Sequence, residues 1–360
     1  VRIIGVAGTA KNTGKTTTIS ALLEGFSYLN NNVVGLTSIG YDGEEIDNVT
    51  GLLKPRLFLK RGSVVATAAA CLRAGSAELE ILETTDIMTP LGRISIAAVK
   101  SDGLAVVAGP NKSRELRRVL DRMTEKAGCD IILVDGALNR IAPMIETEGI
   151  ILATGAARNP DVIELAEETG QICSIFKLPE AGKIYKQILG GFKTISVVNR
   201  DGTVEAIRYP ALIHEDIIGA LKAVLTEKAC AIFIPAAVSQ PVLNRLVDIF
   251  KNRLKGLTIL LSDPIKLIIG GYPGDVMNTT KRIESFGGRI EVLKEVPVVA
   301  VTINPFYPRY RFETGVYEPG YVDEKFLREE IKKAVSLPVV NVLKDGPAEL
   351  LKVLGFHKKG

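Results

Sequence analysis

The chain has no tryptophan, only two histidines and only four cysteines in 360 residues. The histidines, His214 and His357, stand far apart in sequence, which leaves poor material for a histidine metal site or a Ser-His-Asp triad. The cysteines, Cys71, Cys129, Cys173 and Cys230, form no CxxC pair, so neither a zinc site nor a dithiol motif is expected. Sparse, unpatterned thiols suit a reducing compartment, and a cytoplasmic location is the expectation. No run reaches the ~18 uncharged apolar residues of a membrane span. The most apolar stretch, 257–271, is interrupted by Asp263 and Lys266. The first residues lack the apolar core of a signal peptide. An excess of one charge is missing too. The 45 basic and 41 acidic residues give +4, and neither a membrane nor a nucleic-acid partner is expected.

What is present is an ordinary globular balance, 46% hydrophobic and 24% charged. A chain of this length buries a sizeable core without disulfides or metals and is comfortable as two domains. Apolar β-type runs alternate with helical patterns, which predicts an α/β fold with a mostly parallel sheet flanked by helices. The reading places strands at 2–7, 33–38, 129–135 and 149–154, and helices at 15–29, 113–127 and 160–169, the last capped by Asn159. It places an alanine-rich helix over 60–75, and a hairpin of strands 93–99 and 104–109 turning at Asp102-Gly103. The alternation restarts near 210, with strands at 231–235, 257–261, 298–303 and 339–342. Helices are expected at 239–252, 276–286 and 323–335. Two domains are therefore expected, 1–209 and a second, smaller α/β domain over 210–360.

One segment carries explicit chemistry. Gly8-Thr9-Ala10-Lys11-Asn12-Thr13-Gly14-Lys15-Thr16 fits GxxxxGK[ST], between an apolar strand and an amphipathic helix, the context this phosphate-binding loop requires. Glycines let the backbone approach phosphate oxygens, and the loop amides form a nest of donors. The helix that follows adds positive potential at its N-terminus. Lys15 is expected to reach the β- and γ-phosphates, Thr16 to ligate Mg²⁺ and Thr17 to bond an α-phosphate. The Ile131-Ile132-Leu133-Val134-Asp135-Gly136 run delivers a carboxylate to the end of a buried strand, which suits Asp135 as a second Mg²⁺ ligand. Asp42, after the second strand, has open readings: it binds Mg²⁺ through water or orients an attacking nucleophile, or it is a solvated turn residue beside Glu44 and Glu45. Lys11 and Asn12 either contact phosphate or project from the loop tip. Asn139 and Arg140 either sense the γ-phosphate or lie in an ordinary surface loop.

The loop through Thr17 resembles that of dethiobiotin synthetase and of the molybdopterin-guanine dinucleotide accessory protein, within the P-loop NTPases that include the MinD and signal-recognition proteins. Leu133-Val134-Asp135-Gly136-Ala137 resembles their Val-Glu-Gly-Ala strand end, with Asp for Glu. Ile195–Arg200 resembles the strand whose terminal asparagine, here Asn199, reads adenine, although Arg200-Asp201-Gly202-Thr203 equally resembles a hairpin turn. The MinD-type signature lysine would fall on Ala10. The likeness covers about residues 1–200 and implies ATP and Mg²⁺ as ligands. The whole chain also resembles, with no single motif to carry it, the P-loop subunits encoded beside lysine 5,6-aminomutase. That likeness implies a chaperone-type ATPase that reactivates a B12-dependent enzyme.

The C-terminal half is marked by Asn304-Pro305-Phe306-Tyr307-Pro308-Arg309-Tyr310-Arg311-Phe312, and four of the nine tyrosines lie between 307 and 321. A packed loop and a protein interface over 304–321 are both open, as is a homodimer. The expected activity is ATP hydrolysis coupled to a partner or substrate, with Lys15, Lys11 and Asp42 in catalytic roles. The alternative is an ATP-dependent ligase or kinase acting on a small acid.

Overall fold

The computed structural model of the chain describes residues 2–29, 32–40 and 57–356. It is α/β, built on a nine-stranded, mostly parallel sheet flanked by helices, with smaller sheets in addition. Strand β1 (Arg2–Gly8) leads through the glycine-rich loop into α1 (Lys15–Ser27), and β2 (Val34–Ser38) follows. Next come β3 (Leu57–Leu59), β4 (Val64–Ala68), β5 (Glu78–Thr89), β6 (Gly92–Ser101) and β7 (Gly103–Ala105). Helix α2 (Ser113–Glu125) precedes β8 (Ile131–Ala137), and β9 (Gly149–Gly155) precedes α3 (Val162–Phe176).

The chain then forms α4 (Lys183–Leu189), β10 (Ser196–Asn199), β11 (Val204–Ala206), α5 (Asp216–Val224), β12 (Ala229–Ile234) and α6 (Gln240–Phe250). It continues through β13 (Thr258–Leu261), the one-turn α7 (Ile265–Ile268), α8 (Pro273–Ser285) and β14 (Arg289–Val292). The last elements are β15 (Val298–Asn304), β16 (Phe306–Arg311), β17 (Val316–Tyr321), α9 (Glu324–Ala334), β18 (Val339–Val340) and α10 (Val342–Val353), which kinks at Gly346.

Two compact units result. The first is Val1–Thr169 with Val298–Gly360, and the second is Gly170–Pro297, so the division falls within α3 rather than at 209/210. The physical reason is strand pairing: β15 lies parallel to β9, with Asn304 opposite Gly155, and so belongs to the first unit's sheet. That sheet has the order β18-β15-β9-β1-β8-β2-β4-β6-β5, parallel from β18 to β4. Its central strands are buried on both faces, as parallel strands covered by helices must be. One core cluster runs from Ile4, Leu22 and Phe26 to Leu133, Val340 and Leu350. The second unit is a five-stranded sheet, β11-β10-β12-β13-β14, with its own cluster around Phe233, Val198 and Leu260.

Three local expectations are corrected. Residues 60–75 are not a helix: Val64–Ala68 is a strand buried along its whole length between β2 and β6, followed by a single 3₁₀ turn at Ala69–Cys71. The Asp102-Gly103 pair does not turn a hairpin between 93–99 and 104–109. The Asp102 carboxylate accepts bonds from Lys60 Nζ (2.9 Å) and the Arg61 amide (2.8 Å), which lays β7 against β3, and β6 pairs with β5 instead. The cap before α3 is Asp161, whose Oδ1 accepts from the Ile163 and Glu164 amides, while Asn159 accepts from the Asp161 amide. Among the described residues no helix is long and apolar enough to cross a membrane.

Candidate functional site

The strand order delivers the functional side chains. Because β8 lies directly beside β1, in register Val6 with Asp135, the carboxylate emerges next to the loop that β1 feeds. On the far side of β8, β2 pairs Ser38 with Asp135, and the Ile39 amide donates to the Asp135 carbonyl at 2.7 Å. All these strands are parallel, so Gly8, Asp135, Ser38, Gly155 and Asn304 stand at one edge, the carboxyl edge where open α/β sheets bind ligands.

The loop between β1 and α1 has a defined shape. Asn12 takes φ 63° and Gly14 φ 89°, both left-handed, a backbone arrangement that turns amides toward a common centre. Gly8 is buried, and a Cβ there would meet the Lys15 Cβ at 3.3 Å, so the loop closes over that point. The Thr9 amide donates to the Ala153 carbonyl (2.9 Å), tying the loop to β9, and its hydroxyl bonds that of Thr154 (3.2 Å). The buried Thr13 hydroxyl donates to the Ala10 carbonyl at 2.9 Å. Lys11 is exposed at the loop tip.

Helix α1 begins at Lys15, with Gly14 before it. No side chain caps its N-terminus, and its first turn holds no acidic residue. A helix start of this kind leaves its first amides for an anion. Thr16 and Thr17 sit half-buried in that first turn. The Lys15 ammonium lies 2.9 Å from Asp135 Oδ1, and their side chains are only 11% and 8% exposed. Two opposite charges are thus held together in a nearly closed space.

Of the expected site residues, one falls outside the described residues and one belongs to the second unit. Asp42, with Glu44 and Glu45, is outside the described residues. Asn199 belongs to the second unit, at the end of β10. Its amide nitrogen donates to Thr203 and Glu205, both at 3.1 Å, and its backbone closes a turn with Gly202 and Thr203. It is a hairpin residue there, and the sheet of the P-loop does not contain its strand.

The residue missed by the sequence reading is Asn304, at the end of β15. Its Nδ2 donates to the Asn12 carbonyl at 2.9 Å, its Oδ1 accepts from the Phe306 amide, and its carbonyl accepts from Ala156. Its Cβ approaches so near that a Cβ on Gly14 would stand 3.3 Å from it. The available signal was the apolar run 298–303 ending in Asn-Pro, the same strand-to-asparagine pattern credited to 195–199. Asn304 also lines a cavity of about 580 Å³ with Phe306, Tyr321, Asn341, Leu343 and Lys344. Arg140 ends a 3₁₀ turn after β8, and its guanidinium, with the Asn111 side chain, crowds Gly40 just past β2.

The residues fit the ligands that the motif implies. A hydroxyl on Thr16 and a carboxylate on Asp135 are hard oxygen donors, and Mg²⁺ is held by one or two carboxylates plus substrate phosphates rather than by an all-protein cage. Among the described residues there is no cluster of three acidic, His or Cys side chains. Burial pushes the Cys129 thiol, just before β8, up to about 12.

No protein-family model matches the chain, and no curated protein matches it. Among solved structures the chain is similar to pNOB8 ParA bound to nonspecific DNA, at 12% identity, over 79% of this chain and 98% of that one, with a TM-score of 0.25.

Proposed function

We propose that the chain binds ATP with magnesium at the Gly8–Thr16 loop and hydrolyses it. The observation that carries this reading is the Lys15–Asp135 pair: a lysine at the loop's fixed position, 2.9 Å from a carboxylate at the end of the adjacent parallel strand. The pair explains how a charged site is kept in the protein alone. Each side chain neutralises the other, and each has a substitute counter-charge in the substrate complex, phosphate for Lys15 and a cation for Asp135.

The loop amides and the start of α1 donate to phosphate oxygens, and Lys15 adds a full positive charge to them. Thr16 and Asp135 would hold the metal through their oxygens. A bound Mg²⁺ would supply neutralisation of the phosphate charge. Catalysis of this type is mostly positioning and electrostatic stabilisation, which suits a loop fixed at Thr9, Thr13 and Asn12 by hydrogen bonds. The base is assigned to the cavity at Asn304, within the roughly 300–1,000 Å³ range of small-molecule sites. Asn304 touches both this cavity and the loop.

The deciding experiment is ATP turnover by Lys15→Ala. Loss of turnover in a variant that still folds is expected, and turnover at the wild-type rate sinks the reading. Turnover without added substrate separates a hydrolase from the ligase or kinase alternative. The use of the hydrolysis rests on overall likeness to the aminomutase reactivating subunits. Its test is ATP-dependent recovery of a lysine 5,6-aminomutase inactivated at its cobalamin, and no recovery refutes that part alone.

A further inference from the structure

Strands β16 and β17 form a two-stranded antiparallel hairpin that pairs with no other strand among the described residues. The pairing sorts its side chains by face. Phe306 stands opposite Tyr321, Pro308 opposite Pro319 and Tyr310 opposite Tyr317, so these six share one side. Ring contacts agree: Phe306 and Tyr321 centroids are 5.8 Å apart, Tyr310 and Tyr317 5.1 Å, and Phe312 joins at 5.1 Å from Tyr310. The other side carries Tyr307, Arg309, Arg311 and Glu318; Glu318 accepts a hydrogen bond from Arg311 and forms a longer ion pair with Arg309. One face is therefore aromatic and proline without a formal charge, and the other balances its charges internally.

The uncharged face is open to solvent, with Tyr310 43%, Phe312 89% and Tyr321 68% exposed. A hairpin of two strands cannot bury such a face by itself, and contiguous exposed apolar surface of this kind marks an interaction site. A nucleic acid does not suit it, because base stacking on rings is accompanied by cations that meet the backbone, and Arg309 and Arg311 lie on the opposite face, bound to Glu318. A face with no charge has nothing to repel a copy of itself, so it meets the self-complementarity that a two-fold interface demands.

We infer that two copies of this chain associate face to face through the Tyr310–Phe312–Tyr317 side of this hairpin. The area suits a weak, transient interface. Tyr321 borders the cavity assigned to the base, and Tyr310 and Phe312 alone amount to about 1.3 fully exposed rings per copy, or roughly 260 Å² at ~200 Å² each. Two copies bury about 520 Å² from these rings, and Tyr317 and the prolines add to it, within the class of weak encounters below ~1,200 Å².

The test is the molar mass of the full chain by sedimentation equilibrium, without nucleotide, up to ~100 µM, a range suited to a small interface. The wild type should approach twice the chain mass. Tyr310→Lys with Phe312→Lys should stay at the chain mass, its dissociation constant raised roughly a hundredfold or more by like charges facing each other. Phe312→Lys alone, at the most exposed position, should weaken association without endangering the fold and decides the matter where the double variant misfolds. Arg309→Gln with Arg311→Gln, on the opposite face, should leave the dimer intact. A wild type that stays at the chain mass, a dimer that survives the lysine substitutions, or one lost equally on the opposite face would overturn the inference.

Discussion

Deleting both members of the Lys15–Asp135 pair should destabilise the first unit by clearly less than the sum of the two single deletions. With side chains 11% and 8% exposed, the two charges are largely out of water. Removing one partner of a fully buried pair costs ~3–5 kcal/mol, because the other charge is stranded. Residual access at the loop mouth lets water relieve part of that, so about 2–4 kcal/mol is expected for Lys15→Ala or Asp135→Ala. In the double variant neither group remains to lose its counter-charge, and the coupling between the two sites should be about 2 kcal/mol. A chain of two compact units does not unfold with one well-defined midpoint. The assay is therefore native-state amide exchange read at β1 and β8, in the two single variants and the double. Additive effects, with a coupling below ~0.5 kcal/mol, would show that the two groups do not neutralise each other, and the counter-charge exchange proposed for ATP binding would fall with it. The same exchange measurement carries a second arm. Saturating Mg-ATP at about 100 times its dissociation constant should add ~2.7 kcal/mol of protection to the wild type, and little to Lys15→Ala.

Asn304→Ala should raise the dissociation constant for Mg-ATP about fivefold, since one hydrogen bond to the loop backbone is worth ~1 kcal/mol and its loss frees the Asn12 carbonyl; an unchanged constant by calorimetry removes Asn304 from the site. Acid should loosen α9 and the start of α10 first. A hydrogen bond from Lys344, then the charge of Arg328, holds the Glu324 carboxyl below its ordinary value. Burial pushes the Asp345 carboxyl up, but Arg328 and the Asn341 amide outweigh it and leave it lowered. Both folded-state values are depressed, so their stabilisation is present above the ordinary carboxylate range and lost as pH falls below about 4. Amide protection of α9 that is unchanged between about pH 5 and pH 3, or that falls equally in Glu324→Gln/Asp345→Asn, would contradict this. Iodoacetamide at neutral pH should label the half-buried Cys230 first in the native protein, because burial raises the Cys129 and Cys173 thiols to about 12; equal labelling of Cys129 would show that its burial is not maintained.

The parts of this molecule that could be read from sequence are those determined over a few residues. The loop motif, its flanking strand and helix, and the apolar run ending at Asp135 all depend on local pattern, and each appears where the pattern placed it. The failures are equally physical. Ala66, Ala68, Ala69 and Ala70 read as helix-forming, yet the strand that includes Ala66 and Ala68 is buried on both faces, where small residues fit and the twofold alternation vanishes. Strand β5 escaped notice although it is twelve residues long, because it is an edge strand with register shifts against β6, and bulges break the alternation. Asp102-Gly103 has the chemistry of a turn, but which strand a turn leads to depended on Lys60 and Arg61, some forty residues earlier.

The two strand-terminal asparagines carry that point furthest. Ile195–Asn199 and Val298–Asn304 offer the same local pattern, an apolar strand ending in an amide side chain, and nothing within either segment ranks them. The ranking comes from sheet order, since β15 pairs with β9, and β9 pairs with the strand that feeds the loop. Two glycines far from both asparagines make that arrangement possible. A Cβ on Gly155 would stand 2.2 Å from the Asn304 carbonyl oxygen, and one on Gly14 would crowd the Asn304 side chain from the opposite direction. Gly14 therefore serves two demands at once: the left-handed turn into α1 that the phosphate loop needs, and space for a residue almost three hundred positions later. The first demand is written in the motif. The second exists only once the chain has returned at Val298 to the sheet it left after α3, so Asn304 becomes part of the loop's surroundings through topology rather than through any signature of its own.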